Sequence, residues 1–277
     1  MQFKAISWNL FHGRDFPPDP ALFTWRSRLL RRTERNATHV QVNRDLAQEF
    51  VTVLTDTEWD VALLQECPPR FCTVLAQACE ADAQLTLTSR NSLGALRSLA
   101  ARLNPDLIAS AEGGSNLTLV RRGGALGGIV ERRETTIHAG RPERRTMGFA
   151  RTAAGACVAN LHATNNRRLA IEDVRRAAAA ADEWAGEAPL LFGGDLNLRP
   201  AQSPAAFEEL RERFGLAPPT GPDAIDHLLA RGLEVLRPPR QWPPERRELR
   251  EEGLALRLSD HAPVETVFRD PSVTVVT

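Results

Sequence analysis

Tyrosine is absent from the 277-residue chain, lysine occurs once, at Lys4, and cysteine only four times. With no phenol, no chemical step can rest on a tyrosine hydroxyl. The basic residues are otherwise all arginine, whose planar guanidinium suits phosphate recognition, although a biased genome accounts for the same excess. Cys67, Cys72, Cys79 and Cys157 make no CxxC pair and no zinc spacing, so free buried thiols in a reducing compartment are expected. The formal net charge is zero, which removes any overall attraction to polyanions and leaves local patches as the means of meeting them. No run approaches the roughly 18 apolar residues of a membrane span. The opening MQFKAISWNL alternates like a strand and shows no secretory leader, so a cytoplasmic protein is expected. On that expectation the N-x-T tripeptides at Asn36 and Asn116 are chance matches. GGALGG at 123–128 lacks the Lys and Ser/Thr of a phosphate-binding loop and reads as a turn.

What is present suits one globular domain over residues 1–277: 42% hydrophobic and 25% charged residues, with no fixed-period repeat. A monomer is expected. The centre of the chain is LLFGGDLNLRP at 190–200, an apolar strand followed by two glycines. Read as extended chain, Asp195 and Asn197 project to the same side beyond the strand end, and Pro200 stops the strand. An Asx-rich turn is the bland reading of the same residues.

Residues 2–8 predict a strand ending at Asn9. An Arg/Pro-rich excursion at about 11–40 predicts a solvated surface arm with one short basic helix. Leu46, Phe50, Val53 and Leu54 recur at helical spacing, WDVALLQE supplies an apolar strand over 60–64, and 70–80 returns to a helical pattern. A helix over 91–104 is followed by strands at 115–122, 127–139, 144–151 and 156–164, whose glycine-containing links favour antiparallel neighbours. The Ala-rich segment 167–185 predicts a helix ending near Gly186. After the central strand come a helix near 204–213, a strand around AIDHLLARG, an Arg/Pro/Glu-rich connector at 237–252 and a closing strand at SDHAPVETVF. Two sheets packed face to face with helices outside follow from this alternation.

Polar residues gather at the ends of the apolar runs: Asn9, Glu66, His162, Asp195, Asn197, Asp226, Asp260 and His261. Singly, each is more often a solvated carboxylate or a structural histidine. Together they suit a site at one sheet edge. Glu66 and Asp260, with Asn9 nearby, offer oxygen ligands for a hard cation such as Mg²⁺ or Mn²⁺ and suit zinc poorly. The histidines and remaining carboxylates supply groups for activating water and meeting phosphate charge.

In order, SWN at 7–9, LLQE at 63–66, NLHAT at 160–164, GGDLN at 193–197, IDHLL at 225–229 and SDHAPV at 259–264 resemble the endonuclease/exonuclease/phosphatase (DNase I-like) superfamily. The resemblance implies a four-layer α/β/β/α sandwich of two mixed, largely antiparallel sheets with outer helices. It implies Glu66 as chief Mg²⁺ (or Mn²⁺) ligand with Asn9 and Asp260 beside it, and His162 on the scissile phosphate. Asp195 and Asn197 would orient water and hold a phosphate oxygen, His261 would act as general base or phosphate ligand, and Asp226 would orient a histidine. The catalytic-site tyrosine of many members has no counterpart here. The reading is a metal-dependent hydrolase of phosphate esters, a phosphodiesterase or nuclease, with DNA and RNA among its candidate substrates. The alternatives are a hydrolase of small-molecule or lipid-headgroup phosphates and a non-catalytic binding scaffold. Arginine clusters at 26–35, 121–122, 144–145 and 167–168 are candidates for backbone phosphates.

Overall fold

The computed structural model describes residues 1–88, 102–107, 114–140 and 143–272. Residues 91–101 of the expected helix over 91–104 lie outside them. Two sheets face each other. The first has six strands in the order β12, β15, β1, β4, β6, β5: Glu234–Gln241, Val264–Arg269, Gln2–Asn9, Val61–Gln65, Ser115–Arg121 and Ala81–Leu87. The second has five, β11, β10, β9, β8, β7: Asp226–Arg231, Leu190–Asp195, Cys157–His162, Arg145–Thr152 and Ile129–His138. Helices α2 (Ala47–Thr55) and α3 (Phe71–Ala78) cover the first sheet, and α4 (Arg167–Ala185) and α5 (Pro204–Phe214) the second. This is the expected four-layer α/β/β/α sandwich.

The apolar runs are continuous rather than alternating because the central strands are covered on both faces. In β1, Phe3 and Ala5 enter the core between the sheets, whereas Ile6 and Trp8 pack under α2 and α3. In β4, Val61 and Leu63 face the other sheet and Ala62 and Leu64 the helices. Leu191 of β10 points into the same middle core, while Leu190 and Phe192 pack against α4 and α5. Period-two side-chain direction thus divides each strand between two cores. Each sheet also holds one parallel crossover: β1 to β4, with α2 between, and β9 to β10 through α4. Asn166 caps α4 through bonds from Arg168 and Leu169 N–H, and the helix ends at Gly186 with φ 56°.

Four expectations need correction. The strand β5 was not foreseen, its short ADAQLTL run being interrupted by polar residues. Strands β6 and β7 are not neighbours: the glycine turn at 123–128 carries the chain from the first sheet to the second. The expected connector at 237–252 contains most of edge strand β12, irregular where Pro238 and Pro239 sit, and half of a hairpin, β13 (Glu248–Glu251) with β14 (Leu254–Arg257). The excursion at 11–40 is not a loose arm. It holds the expected short helix α1 (Trp25–Leu30) and a ribbon of β2 (Glu34–Arg35) with β3 (Val40–Gln41). Backbone bonds from Phe16 to Arg257 and from Ser259 to Arg14 tie it down, and the buried Asp15 carboxyl group accepts from Val42 N–H at 3.0 Å. No helix among the described residues is long and apolar enough to cross a membrane.

Candidate active site

Strand register builds the site. Asp195, last in β10, stands opposite His162 of parallel β9 and Asp226 of antiparallel β11, so three polar residues form a row across adjacent strands. In the facing sheet Asn9 stands opposite Gln65, one residue before Glu66. The loop ahead of β15 brings Asp260 and His261 to the same end: Ser259 Oγ donates to Asn9 O at 2.6 Å and accepts His261 N–H at 3.0 Å. Asn9, Glu66, His162, Asp195, Asn197, Asp260 and His261 all line one cavity of about 590 Å³. Asp226 stands behind it, its Oδ2 2.8 Å from His261 Nδ1. All eight residues picked from the sequence therefore meet at one place. A cleft of similar size, about 640 Å³, opens at the other end around Lys4, Asp60 and Arg121 and holds none of them.

The geometry at Asp195 and Asn197 differs from the extended-chain reading. The strand ends at Asp195 without help from Pro200, and Asn197 has φ 51°, outside any strand. Its N–H bonds Asp195 Oδ1 at 3.0 Å, an Asx turn, and its Nδ2 donates to Ala163 O at 3.0 Å. Of eight non-glycine residues with positive φ among those described, His12, Glu66 and Asn197 line this cavity, and Phe11 and Ser259 are next in sequence to residues that do. Such conformations cost of order 1–3 kcal/mol each and persist where surroundings enforce them, commonly at functional sites. Gly194, at φ 126°, is forced: a Cβ there would lie 1.9 Å from Leu161 O.

Asp195 is the hub. Asn9 Nδ2 donates to its Oδ2 at 3.0 Å, and His162 Nε2 and His261 Nε2 approach the same oxygen at 3.5 and 3.9 Å. Burial, reinforced by Asp226, raises the Asp195 pKa to about 7. Burial opposes a charge on His261, but Asp226, with Asp195 and Asp260 behind it, overcomes that and raises the ring to about 10. The ring is an imidazolium at neutral pH. His162 goes the other way: burial, together with the charges of Arg145 and His261, holds it well below the usual histidine range. Arg145 Nη1 lies 3.3 Å from His162 Nδ1. Arginine only donates, so Nδ1 of the neutral ring accepts and the proton sits on Nε2, facing Asp195 and Glu66. The loop after His162 is fixed by buried Asp173 of α4, which accepts from Thr164 N–H and Oγ1 at 3.0 and 2.6 Å.

Seven of the lining residues were not among the eight picked from the sequence, and two of the seven touch residues that were. His12 Nε2 is 3.2 Å from Glu66 Oε2, and its only signal was a histidine three residues beyond the SWN strand end. Arg145, expected with Arg144 as a candidate contact for backbone phosphates, is buried against His162. Its counterpart Arg121 is no phosphate contact of this site: it donates to Leu54 O and Thr57 O and stacks on Trp59 at 4.5 Å.

Two groups of ligand atoms bear on a metal. Asp195, Asp226 and His261 each bring one within 4.8 Å of the others, but the 2.8 Å bond between Asp226 and His261 already engages one ring nitrogen. Glu66 and Asp260 are partly open carboxylates on the same cavity, and burial plus the charge of Asp260 raises the Glu66 pKa. Like charges held together with oxygen donors suit a hard divalent cation, which relieves the repulsion.

No protein-family model matches the sequence, and no curated protein does. Solved structures match over nearly the whole chain. An endonuclease/exonuclease/phosphatase from Bacteroides vulgatus has 15% identity and a TM-score of 0.62, with 97% of this chain and 99% of that one covered. A mannosyl-6-phosphatase from Bacteroides thetaiotaomicron has 14% identity and a TM-score of 0.62, with 96% and 99% covered. Truncated Caenorhabditis elegans TDP2 has 15% identity and a TM-score of 0.56, with 97% of each chain covered.

Proposed function

From its endonuclease/exonuclease/phosphatase, DNase I-like fold as premise, we propose that the protein is a divalent-metal-dependent hydrolase of phosphate esters, acting first of all as a phosphodiesterase or nuclease. The observation that carries this reading is that Glu66, His162, Asp195 and His261, scattered over almost 200 positions, line one polar cavity. Glu66 and Asp260, with the Asn9 carboxamide beside them, would hold Mg²⁺ or Mn²⁺. When bound, the cation supplies charge neutralisation and Lewis acidity at the phosphoryl group.

The chain's own groups divide into donors and acceptors. His261, held charged by Asp226, and His162 through Nε2–H present positive or donor atoms to phosphoryl oxygens, with Arg145 behind His162. Negative charge grows on those oxygens during attack, so donors already in position stabilise it without reorganising. Asp195 is the acceptor: its carboxylate, fixed by Asn9 and by Asn197 N–H, is placed to orient a water and take its proton. General-base assistance of this kind contributes roughly 100- to 10,000-fold. The charged state of His261 favours the phosphate-ligand role over the general-base role.

A zero net charge supports a second substrate class, a small phosphate ester rather than a polyanion. Salt separates the two, since affinity for a polyanion falls steeply with ionic strength. The test of the reading is hydrolysis of DNA, RNA, bis-p-nitrophenyl phosphate and a sugar phosphate, each with Mg²⁺, Mn²⁺ or chelator. Metal-dependent turnover of at least one is expected. No turnover on the whole panel would leave a binding scaffold as the better account.

A further inference from the structure

Beside the acidic cavity lies a second one of about 290 Å³, bounded by Phe11, Arg14, Phe16, Phe23, Arg28 and Asp106. We propose that it is a nucleobase pocket, so that the ester attacked next door is carried by a nucleotide. The proposal rests on the phosphoesterase reading and narrows its substrate.

Three phenylalanines around an open space are unusual in a chain whose other aromatics mostly serve the core. Phe16 meets Phe11 edge-on at 5.6 Å and Phe23 at 5.3 Å, and remains 38% exposed. Leaving rings open forgoes burial, which a flat heteroaromatic ligand recovers by stacking. The Arg14 guanidinium lies 3.8 Å over the Phe11 ring, extending the flat surface with a cationic plane. The rim is polar as well as aromatic. Asp106 is 8% exposed and accepts from Gln41 Nε2 at 2.7 Å, with Ser27 Oγ beside it. A carboxylate acceptor and the Arg14 and Arg28 donors match the hydrogen-bonding edge of a base, whereas an aliphatic ligand offers them no further bond. Two arginines against one carboxylate also disfavour a cationic headgroup.

The pockets are joined by one strained turn. Phe11 and His12 are consecutive, both left-handed at φ 49° and 54°, and the turn sends His12 to Glu66 at 3.2 Å while Phe11 walls the aromatic space. Arg14 lies in the fields of Asp106, Glu66 and Asp260. A base in the second cavity therefore has its sugar and phosphate directed at the first.

Wild type, Phe16→Ala and Phe16→Leu are compared with Mn²⁺ on an adenine dinucleotide, a single-stranded adenine decamer and the same decamer with abasic residues. Wild type should prefer the base-bearing decamer in kcat/KM, and both variants should lose that preference by about 5- to 100-fold, the leucine because it keeps apolar volume but no flat ring. Preference extending to the dinucleotide identifies a small nucleotide as sufficient, and preference confined to the decamer identifies single-stranded nucleic acid. Equal cleavage with and without bases, or an undiminished preference in both variants, overturns the pocket. If none of these three is cleaved, the phosphoesterase reading is decided by the wider substrate panel, and fluorescence titration with 2-aminopurine riboside decides the pocket. Saturable quenching abolished in Phe16→Ala upholds it, and no quenching overturns it.

Discussion

His261 Nδ1 lies 2.8 Å from Asp226 Oδ2 across 35 residues of sequence, tying the loop before β15 in one sheet to the first residue of β11 in the other. Asp226→Asn leaves the shape of that contact and removes its charge. Turnover of any phosphate ester should fall about 100-fold, the scale of losing one preorganised electrostatic group. In the metal-free protein the His261 ring, followed by NMR, should titrate well below about 10. A ring still charged at pH 9 would show that Asp226 is not what holds it.

Glu66→Gln should separate activity from stability. Turnover should drop by about 100- to 1,000-fold and calorimetric Mn²⁺ binding should weaken. Thermal stability of the metal-free protein should stay level or rise, because the native carboxylate is disfavoured by burial and by Asp260. A large fall in melting temperature would assign Glu66 a structural role instead.

Asn160→Leu tests the polar bridge between the sheets. Asn160 Oδ1 accepts from Gln65 Nε2 at 2.8 Å, and its Nδ2 lies 3.3 Å from both Leu117 O and Thr118 Oγ1. Removing it takes from the buried Gln65 amide, directly before Glu66, one of the two bonds its Nε2 donates, the other going to Leu63 O at 3.0 Å, and leaves Leu117 O and Thr118 Oγ1 without the Nδ2 donor, at a cost of about 1–3 kcal/mol in urea denaturation.

Asp15 makes a pH prediction with a definite sign. Burial raises its pKa to about 8 from an ordinary 3.8, so between those values the native state holds a proton that the unfolded chain has released. Its contribution to stability therefore declines as pH rises through that window and is level above it. Asp15→Asn should gain on wild type when denaturation midpoints at pH 8 are compared with those at pH 5. An equal difference at both values would refute the assignment.

Gly194→Ala should destabilise by at least about 3 kcal/mol, since the methyl must displace the Leu161 carbonyl in a backbone conformation that alanine avoids. Normal soluble yield and an unchanged melting temperature would contradict this.

The site was legible in the sequence because β-strand ends are: VALLQE and LLFGGD each read as an apolar run closed by polar groups, and such ends converge when strands run parallel. The sandwich was legible for the same reason, as runs covered on both faces carry no polar alternation. What escaped depends on partners distant in sequence. The strand Ala81–Leu87 has a mixed pattern and gains its place by pairing with Ser115–Arg121. Arg145 looks like any surface arginine until His162 is set against it. The left-handed turn at Asn197 has no glycine at that position to announce it, being imposed by the bonds Asn197 makes to Asp195 and Ala163.

The neighbours of β1 are β4 and β15, so Asn9 joins its site only when the loop carrying Asp260 and His261 has arrived from the far end of the chain. A polypeptide still on the ribosome, with residue 261 inside the exit tunnel, has no complete pocket however well its earlier strands have docked. Completion of the cavity is thus written into strand order, whatever chemistry is done there.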